Sequence, residues 1–253
     1  MKLLCPALAS IAVSAVLSAN DPIPQVADHV AAVYAELGLP APPKDHWTLP
    51  ADYLPDAGSI KDVEKTPKKF PVRAAVLEGF KALKESRDLV PAVTIVRKDD
   101  LDKSGALKRL SALQERPAIA ILTLEEALSS LDKAMAVRKD EPSKRWQAHL
   151  DFIRAEVQFR LVVSHEYNLM LGHARIQDLP DLNAEKNETA WRLVPAERIR
   201  SRRDVKDLAK AASAGYFSVL EKYPRTPWSK LAEVAREAPM GLQWVPMVDA
   251  ADQ

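Results

Sequence analysis

From Pro71 onward, apolar residues recur at intervals of three and four, and this spacing predicts a succession of amphipathic helices that each bury one face. In PVRAAVLEGFKALKES, Val72, Val76, Phe80 and Leu83 form one stripe, with Pro71 suited to the first helical turn. Leu107, Leu110 and Leu113 mark a short helix in SGALKRLSALQER. A second helix is expected to start at Pro117, where Ile121, Leu124, Leu128, Leu131 and Met135 have the 3-4-3-4 spacing of a helical-hairpin seam. No proline interrupts residues 143–175, so one helix of roughly 45–50 Å is expected there at about 1.5 Å per residue. It carries Trp146, Leu150, Ile153, Val157 and Leu161 on one face and Phe152, Phe159, Val163, Tyr167 and Met170 on adjacent ones, which places it between neighbours. A polar loop containing Pro180 and Pro195 leads to a last helical pair, DVKDLAKAASAGYFSVLEKYP and TPWSKLAEVAREAP. There Thr226 can cap the second helix and Pro227 can occupy its first turn. The one β-like run, VPAVTIV at 90–96, is expected to be too short to anchor a sheet.

The first seventy residues read differently. Val26, Val30, Val33 and Leu37 predict a short helix over 25–37, stopped by Gly38 and Pro40. Five prolines between 40 and 55, around Trp47 and Tyr53, predict an irregular arm with its aromatics tucked onto the main body. The opening MKLLCPALASIAVSAVLSAND has one lysine, an uncharged apolar run and then Asn20 and Asp21, the layout of a secretory signal cleaved near Ser18 or Ala19. The other reading of that run is an uncleaved membrane anchor. The expected organisation is a signal segment over 1–19, a short helix and Pro-rich arm over 20–70, and a helical domain over 71–253.

Composition narrows the fold class to all-α, with antiparallel helical hairpins in a bundle or short solenoid. Seven glycines against nineteen prolines favour helices punctuated by proline over strand-and-turn architectures and phosphate-cradling loops, which need positive φ. The net charge of +1 on 253 residues gives no global field to recruit nucleic acid or anionic lipid. The only cysteine, Cys5, lies in the signal segment, so an exported chain would depend on its core rather than on disulfides. Lys2 stands where a lipoprotein signal would need an apolar residue.

Four stretches invite a chemical reading. HEYNL at 165–169 approaches the zinc-protease pattern H-E-x-x-H, but Leu169 fills the place of the second histidine. His173 is eight residues from His165, roughly 12 Å along a helix and about 80° round it, too far for one ion. His29, His46 and His149 form no local ligand pair. DLDKSGALKRLS matches a calcium loop at Asp100, Asp102, Ser104, Gly105 and Leu107, yet it holds Lys108 at the ninth position and Ser111 where a bidentate glutamate belongs. Helix capping by Asp102 or Ser104 explains the same residues. Ser130 and Lys133 give S-x-x-K, but the accompanying K-S-G at 103–105 precedes it rather than following. No metal or cofactor is expected from these patterns. Arg192, Arg198, Arg200, Arg202 and Arg203 form a basic cluster that could meet phosphates or an acidic partner, or be solvated and paired with Glu197 and Asp204. The sequon at Asn187 would matter only in a eukaryotic secretory route.

The stretch EPSKRWQAHLDFIRAEVQFRLVVSHEYNLMLG, followed by DLPDL, WRLV and YPRTPWSKLAEVAREAPMGLQW, resembles a group of uncharacterised exported helical proteins of planctomycete-type bacteria. The shared features are a SKRWQA helix start, a YNxxLG helix end and a HPGTPWxxLA turn closing in LGxxW. They fall here on Trp146, on Tyr167, Asn168 and Gly172, on Pro224, Thr226, Pro227 and Trp228, and on Gly241 and Trp244. The similarity spans about residues 71–244 and departs at the turn, where Tyr223 and Arg225 replace His and Gly. The resemblance implies an exported, tetratricopeptide-like helical region, and the motif residues read as packing and turn chemistry. It brings no catalytic residues with it. The expected role is an interaction module of the cell envelope that binds another protein or a peptide, with no nucleic acid and no membrane contact beyond the signal segment. The alternatives are an envelope hydrolase built from residues such as Glu156, His165 and Glu166, or a purely structural envelope protein.

Overall fold

The computed structural model describes residues 51–53, 60–87, 89–90, 93–103 and 105–248. The signal segment with Cys5, the helix over 25–37, His29, His46, Trp47 and Ser104 lie outside them.

Among the described residues the chain is mostly helical, with seven helices and one small sheet. The helices are α1 (Ile60–Lys65), α2 (Pro71–Arg87), α3 (Lys98–Asp102), α4 (Ala106–Ala136), α5 (Lys144–Arg175), α6 (Arg203–Lys222) and α7 (Pro227–Arg236). The strands are β1 (Ile95–Arg97), β2 (Ala190–Ala196) and β3 (Gly241–Met247). Helix α5 is the central element. It packs against α2 and α4 on one side and against α6 on the other, with α7 folded back on α6 and β3 laid along α5. Side chains are buried all round α5, Leu150, Val157, Val162 and Leu171 among them at 0% exposure. A helix buried on most sides is what its multi-sided apolar pattern predicts.

Two elements differ from the pattern-based expectation. The helix expected to begin at Pro117 is the second half of α4, which runs unbroken from Ala106 to Ala136. Proline removes one backbone hydrogen bond and crowds the preceding turn, but here its ring is buried, and the packed neighbours offset that loss. The N-cap of α4 is Gly105, at φ 88°; the side chains of Asp102 and Ser104, expected to cap it, lie outside what the structure describes.

The second difference is the sheet. β1 is three residues long, as a short run must be, but it is the edge of an antiparallel sheet of order β1-β2-β3. Ile95 pairs with Arg192, and Arg192 with Val245; Leu193 pairs with Trp244. Val96, Trp191, Leu193, Leu242 and Trp244 are buried on the inner face, while Ile95, Arg192 and Val245 are exposed on the outer one. Trp244 donates its indole N–H to the Met170 carbonyl at 2.8 Å, and Trp191 donates to that of Pro180 at 2.7 Å. Each indole thus buries a large apolar surface and satisfies its one donor. At Gly241 a Cβ would stand 2.2 Å from the Arg198 carbonyl oxygen, so only glycine lets the strand pass that backbone.

The α6–α7 turn follows its sequence signal. Thr226 caps α7 in a reciprocal capping box with Ser229, and Pro227 opens the first turn. Arg225 sits at φ 62°, the left-handed region where glycine, present in the resembling pattern, carries no Cβ penalty. Tyr53 is half-buried, its ring 6.1 Å from Tyr223 and 5.8 Å from Trp228, so this aromatic of the arm does dock on the body. No helix among the described residues is long and apolar enough to cross a membrane.

A cationic cleft as the candidate functional site

The site is built around one buried carboxylate. Glu166, at 0% exposure on α5, accepts the backbone N–H of Arg200 at 3.1 Å on both oxygens and that of Ser201 at 2.7 Å. A buried carboxylate must be compensated by charge or by hydrogen bonds, and here the compensation comes from the main chain of the β2–α6 loop. The Arg200 guanidinium is thus not consumed by Glu166. Charge-assisted bonds of this type are the strong ones, so the loop is stapled to the last three turns of α5.

Between loop and helix lies an open cleft of about 550 Å³. Helix α5 contributes His165, Asn168, Leu169, Gly172, His173 and Arg175, all within one half of the helical circumference. The loop contributes Arg200, Ser201 and Arg202, and α6 contributes the buried Val205. On the third side, Gln114 of α4 donates to the backbone carbonyl of Asn168 at 3.1 Å and to its Oδ1 at 3.2 Å, fixing that wall. His165 is held below the ordinary imidazole pKa, first by burial and also by Arg202, against the opposing pull of Glu125, Asp204 and Glu166. His173 Nδ1 lies 2.5 Å from Asp178 Oδ2. Arg202 pairs with Asp204 at 2.9 Å. Arg175 and Arg200 have no side-chain hydrogen bond or ion pair among the described residues.

The structure splits the basic cluster. Arg200 and Arg202 line the cleft. Arg192 faces out from the sheet, Arg198 serves through its carbonyl over Gly241, and Arg203 is exposed beside Asp207 at 3.8 Å. Arg175 was not singled out from the sequence; His173 entered only as a failed metal partner of His165, and His165 also as a candidate hydrolase residue. His165, Asn168, Gly172 and His173 recur at helical spacing, which places them on one face, but polar residues elsewhere on the same helix hide that face in the sequence. Among the described residues no group of three His, Cys, Asp or Glu is placed to hold a metal ion.

The residues weighed for hydrolysis do not meet at a reacting point. Glu156 accepts the Tyr216 hydroxyl at 2.8 Å and lies 3.6 Å from Arg160, while Glu166 is consumed by the loop. Nine helical positions, or roughly 13 Å, separate Glu156 from His165. Ser130 and Gly105 stand far apart on the single helix α4, so S-x-x-K and K-S-G are not assembled.

The motif residues from the resemblance are at work in packing. Trp146 and Trp228 are buried, and Trp228 donates to His149 Nδ1 at 3.1 Å. The Tyr167 hydroxyl is 3.0 Å from that of Thr94. Pro224 is exposed in the α6–α7 turn. Gly172 and Asn168 belong to the cleft as well. Comparison with protein-family models, with curated proteins and with solved structures gives no match to the chain.

Proposed function

We propose that the chain is a helical interaction module of the cell envelope that holds an acidic segment of another envelope protein or peptide. The observation that carries this reading is the cleft, where Glu166 takes backbone N–H groups instead of guanidinium groups and Arg200 has no side-chain partner among the described residues. A cationic trough with an apolar floor suits carboxylates displayed on a protein partner. The α6–α7 hairpin with its capped YPRTP turn supports the tetratricopeptide-like reading, in which stacked hairpins present a concave face. The apolar leader over residues 1–19 supports export.

The test is binding of fluorescently labelled poly-glutamate to the full chain, followed by anisotropy. The expected result is saturable binding that weakens as salt rises and that falls at least about tenfold in Arg200→Glu, one charge-assisted contact being worth about 1.5–3 kcal/mol. Absence of binding, or binding that Arg200→Glu leaves unchanged, overturns the proposal.

A further inference from the structure

Among the described residues the cleft carries an unpartnered guanidinium at each of two poles rather than a single charged centre. The Arg200 backbone is fixed at the level of Glu166, and Arg175 closes the other end. Nine helical positions separate those levels, roughly 13 Å. His165 and Arg202 stand at the first pole, where Arg202 acts electrostatically on the His165 ring, and His173 stands near the second. The two guanidinium groups of the cleft that lack a partner among the described residues, Arg175 and Arg200, are exposed, one at each pole. Leu169 and the buried Val205 line the cleft with them.

A compact anion such as phosphate reaches one pole only. An extended chain rises about 3.3 Å per residue, so side chains four residues apart span roughly 13 Å and also project from the same side of the strand. We infer that the cleft recognises an extended partner segment carrying two carboxylates four residues apart with an apolar side chain midway between them. The outer carboxylates meet Arg200 and Arg175, and the middle side chain covers the half-buried Leu169. This rests on the reading of the cleft as a partner site and specifies what that partner must display.

Blocked peptides with two glutamates at a spacing of two, four or eight, in a Ser/Gly background with a central leucine, are titrated calorimetrically into the full chain. A peptide with one glutamate is the reference. The four-residue spacing is expected to bind about tenfold more tightly than the reference, with the other spacings close to it, since one further charge-assisted contact is worth at least about 1.4 kcal/mol. Arg175→Gln and Arg200→Gln are each expected to bring the four-spaced peptide down to the reference, with unchanged thermal midpoints because both side chains are exposed. Equal affinity at all spacings overturns the two-pole inference while leaving the cleft as an acidic-segment site. Displacement of the four-spaced peptide by inorganic phosphate at equal concentration overturns it in favour of a compact anion. A concentration-dependent dimer that excludes the peptide overturns it in favour of a second copy of this chain. Failure of every acidic peptide to bind overturns both readings.

Discussion

The two ends of α5 handle buried charge in opposite ways. Near its start, the buried carboxylates Asp151 and Glu141 are met by guanidinium side chains. Asp151 takes two bonds from Arg138, at 2.8 and 3.0 Å, and the Tyr223 hydroxyl at 2.8 Å. Glu141 takes two from Arg73, at 3.0 and 2.9 Å. His149 accepts from Trp228 inside a cage that includes Trp146 and Phe80. Burial and the neighbouring carboxylates push the Tyr223 and Tyr216 hydroxyls well above their ordinary range, so both stay protonated as donors to Asp151 and Glu156. Near the end of α5, Glu166 is met by backbone instead. Pairing carboxylate with guanidinium consumes recognition groups, whereas pairing it with main-chain N–H leaves them available. The first arrangement makes a sealed joint between α5, α6 and α7, and the second makes a cleft.

The sharpest way to break this contrast is at the sealed end. Trp228→Ala removes one of the largest fully buried side chains and the donor to His149, and should cost about 3–5 kcal/mol by the usual range for deleting a buried aromatic. Urea unfolding would read that loss. Poly-glutamate binding by the folded fraction should be unchanged, because the cleft residues belong to later turns of α5. A variant that loses binding along with stability would show that the two ends are one unit.

The converse substitution is Glu166→Gln. The amide keeps an acceptor for one loop N–H but loses the charge, and a net cost of about 1–3 kcal/mol is expected for weakened bonds to a buried group. The more telling readout is local. Amide exchange at Arg200 and Ser201 should accelerate well beyond the global effect, and affinity for acidic peptide should fall as the loop loosens. Unchanged protection at those two amides would remove Glu166 as the staple.

How legible all this was in the sequence follows the same division. The helices were legible because each buries a stripe whose spacing is local, and α5 matches its expected span within a residue. The single helix through Pro117 was not, because what offsets the missing hydrogen bond is tertiary packing. Nor was the sheet, whose pairing joins Ile95 to Arg192 and Arg192 to Val245 across long separations. β2 and β3 each also contain a proline, which blurs a strand pattern. At the site, two of the five clustered arginines, Arg200 and Arg202, line the cleft. The other three could not be told apart from them until the fold showed which backbone Glu166 holds. His165 and His173, about 80° and 12 Å apart on the helix, spread along one wall of the cleft instead of converging.

The smallest effect concerns pH, and it separates the two ends through their histidines. His149 is fully buried, and burial first, then Arg145, holds its pKa well below the ordinary value. The folded ring therefore stays neutral, with Nδ1 available to accept from Trp228, while the unfolded ring takes up a proton below about pH 6.5. The unfolded state then binds more protons, so stability is full above that pH and falls as pH drops below it, by at most about 1.4 kcal/mol per pH unit from this group. His165 shifts in the same direction but is only half-buried, so water screens it and its share is smaller. Urea unfolding at pH 7.5 and 5.5 should show the loss in the native chain. His149→Gln, which keeps an acceptor and cannot titrate, should remove most of the difference, and His165→Gln should remove little of it. Equal pH dependence in the native chain and in His149→Gln would mean that the sealed end is not where the proton is refused.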